Sequence, residues 1–472
     1  MQAVVVSKTD WKSPVVEFFC EEDVRKVEFF DNEMKAEIQK FINSGLFSGK
    51  KFEIVPVTNH SKKIVILAGC GKTKELSPTQ MRIITAKLVH SQVISGYNTI
   101  QIIPMKGRDS EIAEGVVIGG YTWEKYLTEK APGPSKAMIK SSNVKEVEKI
   151  IFIAESVNYA RDLVNDDSDF MNSVQIEREV KKLVSGKKGF SVKVLEEKEL
   201  KKLGLNLILA VNGASPYPPK LIIAKYNGGK GKYTAFVGKG VTYDSGGLGL
   251  KPSEYMKYMR DDIGGVAVLM GVMRNVIKFR PKKNFIFALP LVENMIGSKA
   301  YKTGKIIKSY SGKTVEVEHT DAEGRLILAD ALAYVDKNYK PETMIDIATL
   351  TGACITALGY DYMALMSRDD ELADSLLKSG QKTNDRMWRM PLYPELLDYL
   401  KTKDADINTL GPPRVASVIT AGEFLSRFVG NTRWAHIDIG AAVFVNDDHR
   451  WYFGHGATGK GVRILTDFIL SH

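Results

Sequence analysis

The chain has 472 residues, 44% hydrophobic and 26% charged, with a formal net charge of +10. That balance is ordinary for a globular protein and argues against long disordered segments, while the length exceeds what one core supports and implies two domains. No apolar run reaches the ~18–20 residues of a membrane span, and the start, MQAVVVSKTDWKSP, lacks a charged segment followed by a long apolar one.

Up to about residue 135, short apolar runs alternate with amphipathic ones. VVEFFC, KIVILAG and TIQIIPM read as strands, and TQMRIITAKLVHSQVISGY as a helix starting near Pro78 and Thr79. GCGKTKEL (69–76) contains GKT, but a phosphate-binding loop needs a glycine at position 66, where Ile66 stands. It reads as a strand-ending turn. APGPSK (131–136) is a turn-rich break. The run VKEVEKIIFIAESVNYARDLVN is a long helix able to bridge two domains, so residues 1–135 are read as one domain, 136–168 as a connection and 169–472 as a second domain.

Beyond the connection, YTAFVG, NFIFALPLV, TMIDIAT and RWAHIDIG read as strands. GGVAVLMGVMRNVIKF and RLILADALAYVDKN read as helices. This alternation predicts an α/β fold with a parallel or mixed sheet. NGGKGK (227–232) precedes a strand rather than opening a helix and is read as a hairpin turn.

Cys20, Cys70 and Cys354 are odd in number and far apart in sequence, with no CxxC. They argue against a disulfide framework or structural zinc and for a reducing, cytoplasmic compartment. The histidines form no HExxH motif or close pair, and His449 and His455 sit in a glycine- and aromatic-rich tail. A bound metal would therefore have to be held by carboxylates. A pI of about 9.1 permits contact with nucleic acid. The lysines, however, are scattered (Lys35, Lys50, Lys62) rather than interleaved with aromatics, which favours a solvated surface.

Two charged stretches are candidates to carry chemistry, and from composition the first reads equally as a site or as an ordinary charged surface loop. VGKGVTYDSGGLGLKPSEYMKYMRDDIGG (237–265) has a strand ending at Val237, two glycine-rich turns, and Lys239, Asp244, Lys251, Asp261 and Asp262. HTDAEGRL (319–326) follows the strand TVEVE and opens a helix. Acids at a helix start complement its dipole, so capping by Thr320 or Asp321 is the plain explanation. Capping leaves Arg325 unexplained, since a cation is unfavourable in a first turn.

Together, VGKGVTYDSGG, Lys251, MRDDIGG and TDAEGRL resemble the leucine aminopeptidase family, the cytosolic M17 metallopeptidases. ARDLVN (160–165), ATLTGA (348–353), VITAGEFLSRF (418–428) and WAHIDI (434–439) extend the resemblance over nearly all of residues 110–472. It implies a smaller N-terminal α/β (macro-like) domain and a larger C-terminal α/β catalytic domain with a mixed central sheet.

It also implies a metal-dependent aminopeptidase that removes the N-terminal residue of a peptide. Two divalent ions, Mn²⁺ or Zn²⁺ with Mg²⁺ and Co²⁺ as alternatives, would share a bridging water and polarise the carbonyl. Carried over, Asp244 and Glu323 bridge the ions, Lys239 and Asp262 complete one shell, and Asp321 the other. The four carboxylates would repel without metal and be neutralised by two divalent ions; Lys239, as a ligand, must be neutral. Lys251 would stabilise the oxyanion and Arg325 would hold a bicarbonate that shuttles the proton. Met259, Thr349 and Gly352 would line an apolar pocket suited to leucine or methionine.

Family members are hexamers, so a homohexamer is expected. Some bind DNA, which keeps a regulator on the same fold as the alternative; a catalytically dead scaffold is disfavoured by the intact charged set. The chain departs from the family pattern at His319, where asparagine is usual, in DDSDFMNS after ARDLVN, and in the glycine-poor RVASVITAG. These departures bear on specificity and pH optimum.

Overall fold

The structure, a computed structural model, describes residues 1–27, 30–445 and 452–472, so His449 lies outside the described residues. The chain divides into two units, Met1–Asn158 with Val445–Gly456, and Tyr159–Phe444 with Ala457–His472. Among the described residues no helix is long and apolar enough to cross a membrane.

The first unit is built on a six-stranded sheet of β1 (Gln2–Val6), β2 (Val15–Phe19), β3 (Ile54–Thr58), β4 (Ile64–Gly69), β5 (Thr99–Ile103) and β6 (Lys136–Lys140). The order is β1-β6-β5-β2-β4-β3, parallel except that β3 runs against β4. Every residue of β2 is buried, as expected of a strand covered on both faces. Residues 136–140, assigned from sequence to the connection, thus form a strand inside this sheet.

The helix expected near Pro78 spans Pro78–Val89, with Pro in its first turn and the Ser77 side chain accepting from Gln80 N. It stops at His90, and a separate short helix, Gln92–Ser95, follows. The GKT segment is the turn expected: β4 ends at Gly69 and a 3₁₀ turn covers Thr73–Glu75. The long helix runs unbroken over Val144–Asn165.

The second unit carries a nine-stranded mixed sheet that includes β7 (Phe190–Leu195), β8 (Lys220–Asn227), β9 (Tyr233–Gly238), β10 (Gly240–Asp244) and β11 (Asn284–Asn294). The small strands β12 (Ile306–Lys308) and β13 (Thr314–Glu316) lie outside it. The nine-stranded sheet continues with β14 (Thr343–Ala348), β15 (Met363–Ser367) and β16 (Met387–Arg389). β17 (Ile407–Asn408) joins β12 and β13, and β18 (Arg433–Asp438) completes the larger sheet beside β14.

β11 is buried along its whole length, as its apolar run NFIFALPLV demands, and takes a central place. It pairs antiparallel with β8 and parallel with both β9 and β10. NGGKGK is therefore not a hairpin turn: β8 and β9, on either side of it, are separated by β11. Nor is the stretch after Val237 only turns. GVTYD forms β10, as its β-branched and aromatic residues favour, and its register places Asp244 beside Asn294.

Candidate active site

The two charged stretches converge at one end of the larger sheet. β9 and β10 deliver Lys239 and Asp244. The 3₁₀ turn Met259–Ile263 delivers Asp262, and the helix Glu323–Tyr339 begins on Glu323 itself. Asp244, Asp262 and Glu323 are buried, and each offers a carboxylate oxygen within 4.8 Å of the others.

Lys239 Nζ sits 2.7 Å from Asp262 Oδ1 and 2.8 Å from Glu323 Oε1 and donates to Thr349 O at 2.7 Å. Lys251 Nζ lies 2.9 Å from Asp244 Oδ2 and 2.5 Å from Asp321 Oδ1. Each ammonium thus joins two carboxylates.

The electrostatics follow from burial and proximity. Burial, with the charge of Glu323, lifts the Asp244 carboxyl, and burial lifts that of Asp262 well above its usual value. Burial, with Asp244 and Glu323, brings Asp321 to about 7. For Glu323 burial acts upward too, but Lys239 and Lys251 outweigh it and the carboxyl ends below its usual value. Lys239 is pulled down by burial and pushed up more strongly by Asp262, Glu323 and Asp244, so without a cation it stays an ammonium. It would become a ligand only as cations neutralise those carboxylates.

The residues fit a metal on a direct observation. Asp262 Oδ2 and Glu323 Oε2 are buried oxygens with no hydrogen-bond partner. Orphaned acceptors are costly to bury, and two of them in one acidic cluster are suited to ligate a cation. Four carboxylates also match the oxygen-rich donor set of hard divalent ions.

Arg325 is buried, and its Nη1 donates to Thr409 O at 2.7 Å. Its Nε has no partner. Burial lowers its pKa to about 10 against the pull of Glu323, Asp438 and Asp321. The residue that capping could not explain keeps an unsatisfied donor beside the cluster.

Thr320 and Asp321 do not cap the helix. Its N-cap is Ala322, with no side-chain bond. Thr320 instead ties the two motifs together, donating from Oγ1 to Gly246 O at 2.6 Å and accepting from Gly249 N at 2.7 Å. His319 accepts from Asp321 N through Nδ1 at 3.1 Å.

Met259 is half-buried at the start of the 3₁₀ turn. Thr349 Oγ1 bonds Asp262 Oδ1 at 2.7 Å. Gly352 is exposed, and a Cβ there would meet open space. Two further residues shape the site. Asn294 Nδ2 donates to Asp244 Oδ1 at 2.8 Å and to Thr320 O at 3.0 Å. Asp438 accepts from Leu350 N at 3.1 Å and from Thr351 Oγ1 at 2.7 Å, holding the ATLTG loop. Asn294 closes an apolar strand, a polar strand end being its only sequence signal, and Asp438 lies within WAHIDI, a stretch that resembles the family but does not by itself mark a site.

The family model for the cytosol aminopeptidase family, catalytic domain, matches residues 158–466, and that for the same family's N-terminal domain matches residues 15–130. A "probable cytosol aminopeptidase" of Pseudomonas fluorescens (strain SBW25) is 38% identical over 441 residues, covering 89% of this chain and 88% of that protein. One of Brucella melitensis is 42% identical over 373 residues, 76% of each chain. Among solved structures, bottromycin maturation enzyme BotP superposes with a TM-score of 0.86 at 26% identity, covering 97% of this chain and 99% of that one. The same enzyme in complex with Mn gives 0.87. The chain belongs to the cytosol aminopeptidase family and is a metal-dependent peptidase.

Proposed function

We propose that this protein removes the N-terminal residue of peptides, with a preference for leucine- or methionine-like side chains, using two divalent cations. The observation that carries this reading is the pair of orphaned oxygens, Asp262 Oδ2 and Glu323 Oε2, within a buried cluster of three converging carboxylates. Asp244, Asp262, Asp321, Glu323 and a neutral Lys239 would hold the cations. Mn²⁺ or Zn²⁺ is favoured, Mn²⁺ with support from the manganese complex of the similar BotP; Mg²⁺ and Co²⁺ suit the same donors. When bound, the cations supply an activated water and a polarised carbonyl.

The chain's own residues do the rest. Lys251 carries its ammonium at the edge of the cluster, where it balances negative charge developing on the substrate's carbonyl oxygen. Its pKa is lowered by burial but raised more by Asp244, Glu323 and Asp321, so it keeps its proton. Arg325, with its free Nε, holds a small anion, proposed as bicarbonate, able to carry a proton. Met259, Thr349 and Gly352 flank the space for the first side chain. The proposed assembly is a cytoplasmic homohexamer, which light scattering tests.

The deciding experiment is hydrolysis of a leucine amide with metal-stripped protein, with added Mn²⁺ or Zn²⁺, and with Glu323→Ala. Activity restored by metal in the wild type and absent from the variant is expected. Activity that survives metal removal, or an unaffected variant, would overturn the reading.

A further inference from the structure

Two of the three cysteines, fifty residues apart in sequence, meet in the first unit. Cys20 follows the last residue of β2 and Cys70 follows the last of β4, and the register of that parallel pair ends at Phe19↔Gly69. Cys70 N donates to Phe19 O at 2.8 Å and Glu21 N to Gly71 O at 3.1 Å, so backbone bonds hold the two strand ends together. Neighbouring strands lie about 4.7–4.9 Å apart. A disulfide spans about 4.4–6.8 Å between Cα atoms, a range that includes the spacing of neighbouring strands.

Both side chains are buried, Cys20 at 2% and Cys70 at 3% exposure, and neither is disulfide-bonded. Cys70 Sγ donates to Ala68 O at 3.9 Å. The neighbouring Cys70 thiol, and secondarily Thr73, favour the Cys20 thiolate more than burial opposes it and bring Cys20 to about 7, while Cys20 and burial push the Cys70 thiol up. Most buried cysteines are inert; this pair is asymmetric, with one sulfur disposed to attack and the other kept protonated beside it.

We propose that Cys20 and Cys70 form an oxidant-responsive dithiol that closes to an intramolecular disulfide, with Cys20 as the attacking sulfur and Cys70 as the resolving one. The oxidant is a hydroperoxide. An electron pair of the Cys20 thiolate forms an S–O bond to the distal peroxide oxygen as the O–O bond breaks, giving Cys20 sulfenic acid and a hydroxide or alkoxide ion that takes up a proton. The Cys70 sulfur then attacks the Cys20 sulfur and loses its proton. The S–O bond breaks and water leaves. Two thiols are oxidised by two electrons in all, and the peroxide is reduced. The site belongs to the first unit alone, and its test does not depend on peptidase activity.

The experiment treats the folded full-length protein with rising hydrogen peroxide, blocks free thiols under denaturing conditions, and maps peptides without reduction. A Cys20–Cys70 linked peptide should appear at peroxide levels that leave Cys354 free to be alkylated. Cys70→Ser should arrest at a Cys20 adduct trapped by dimedone, and Cys20→Ser should leave Cys70 reduced. The proposal is overturned if the wild type gives no linked peptide before Cys354 is oxidised, or passes to sulfinic acid without one. A Cys20→Ser protein whose Cys70 is trapped by dimedone would overturn the assignment of roles.

Discussion

Thr349 Oγ1 donates to Asp262 Oδ1 at 2.7 Å, tying the loop expected to meet the substrate side chain to a carboxylate expected to hold a cation. Lys239 Nζ sits on the same oxygen at 2.7 Å, so Thr349 and Lys239 together fix the carboxylate through Oδ1 and leave Oδ2 without a partner. Groups that orient a ligand in this way are worth about 10–100-fold in metal affinity. Thr349→Val keeps the branched shape and removes only the donor. Its Mn²⁺ affinity, measured by calorimetric titration of metal-stripped protein, should fall by about that factor with the circular dichroism spectrum unchanged. Unchanged affinity would show that Asp262 needs no such support.

Much of the candidate site is legible in the sequence. Lys239, Asp244, Lys251, Asp262, Asp321, Glu323 and Arg325 lie in two short motifs, and fixed residue types at fixed local spacing are a sequence property. Contacts made across long separations are not. Asn294 reaches Asp244 across 50 residues and Asp438 reaches Thr351 across 87, and each is one polar residue at the end of an apolar strand. Strand order was hidden for the same reason. NGGKGK reads as a hairpin because the two strands beside it are consecutive, yet β11 arrives later in the chain and inserts between them. Likewise Cys20 and Cys70 look isolated until β2 and β4 pair.

Gly324 shows what the small residue within TDAEGRL is for. A Cβ there would fall 2.5 Å from Lys239 Cε and 2.6 Å from Lys239 Nζ. Lys239 cannot yield easily, because Asp262, Glu323 and the Thr349 carbonyl all hold its ammonium. Alanine is otherwise the better helix residue, by roughly 1 kcal/mol, so Gly324→Ala should leave the fold standing while displacing one side chain. A misplacement on the order of 1 Å at a reacting centre costs about 10²-fold. Metal-loaded Gly324→Ala should therefore lose about that much in kcat/KM on a leucine amide with its thermal midpoint lowered little. Near-normal activity would mean that Lys239 has more room than its contacts suggest.

Asp330 provides a pH-dependent stability away from the cluster. It lies in the middle of the helix Glu323–Tyr339 and is fully buried. Its Oδ2 accepts from Leu207 N at 2.8 Å and Ile208 N at 3.3 Å, and its Oδ1 from Tyr310 N at 2.8 Å. Burial raises the carboxyl to about 7 in spite of those three donors, whereas in the unfolded chain it titrates near about 3.9. Between these values the folded protein binds the proton more tightly. The resulting stability is fully present below about pH 4 and is lost as pH rises to about 7. Asp330→Asn keeps a carbonyl acceptor and removes the titration. The thermal midpoint of the variant, relative to wild type, should therefore rise between about pH 5 and about pH 8, because only the wild type loses this contribution. A difference that stays flat across that range would show that Asp330 carries its charge throughout, held by its three N–H donors.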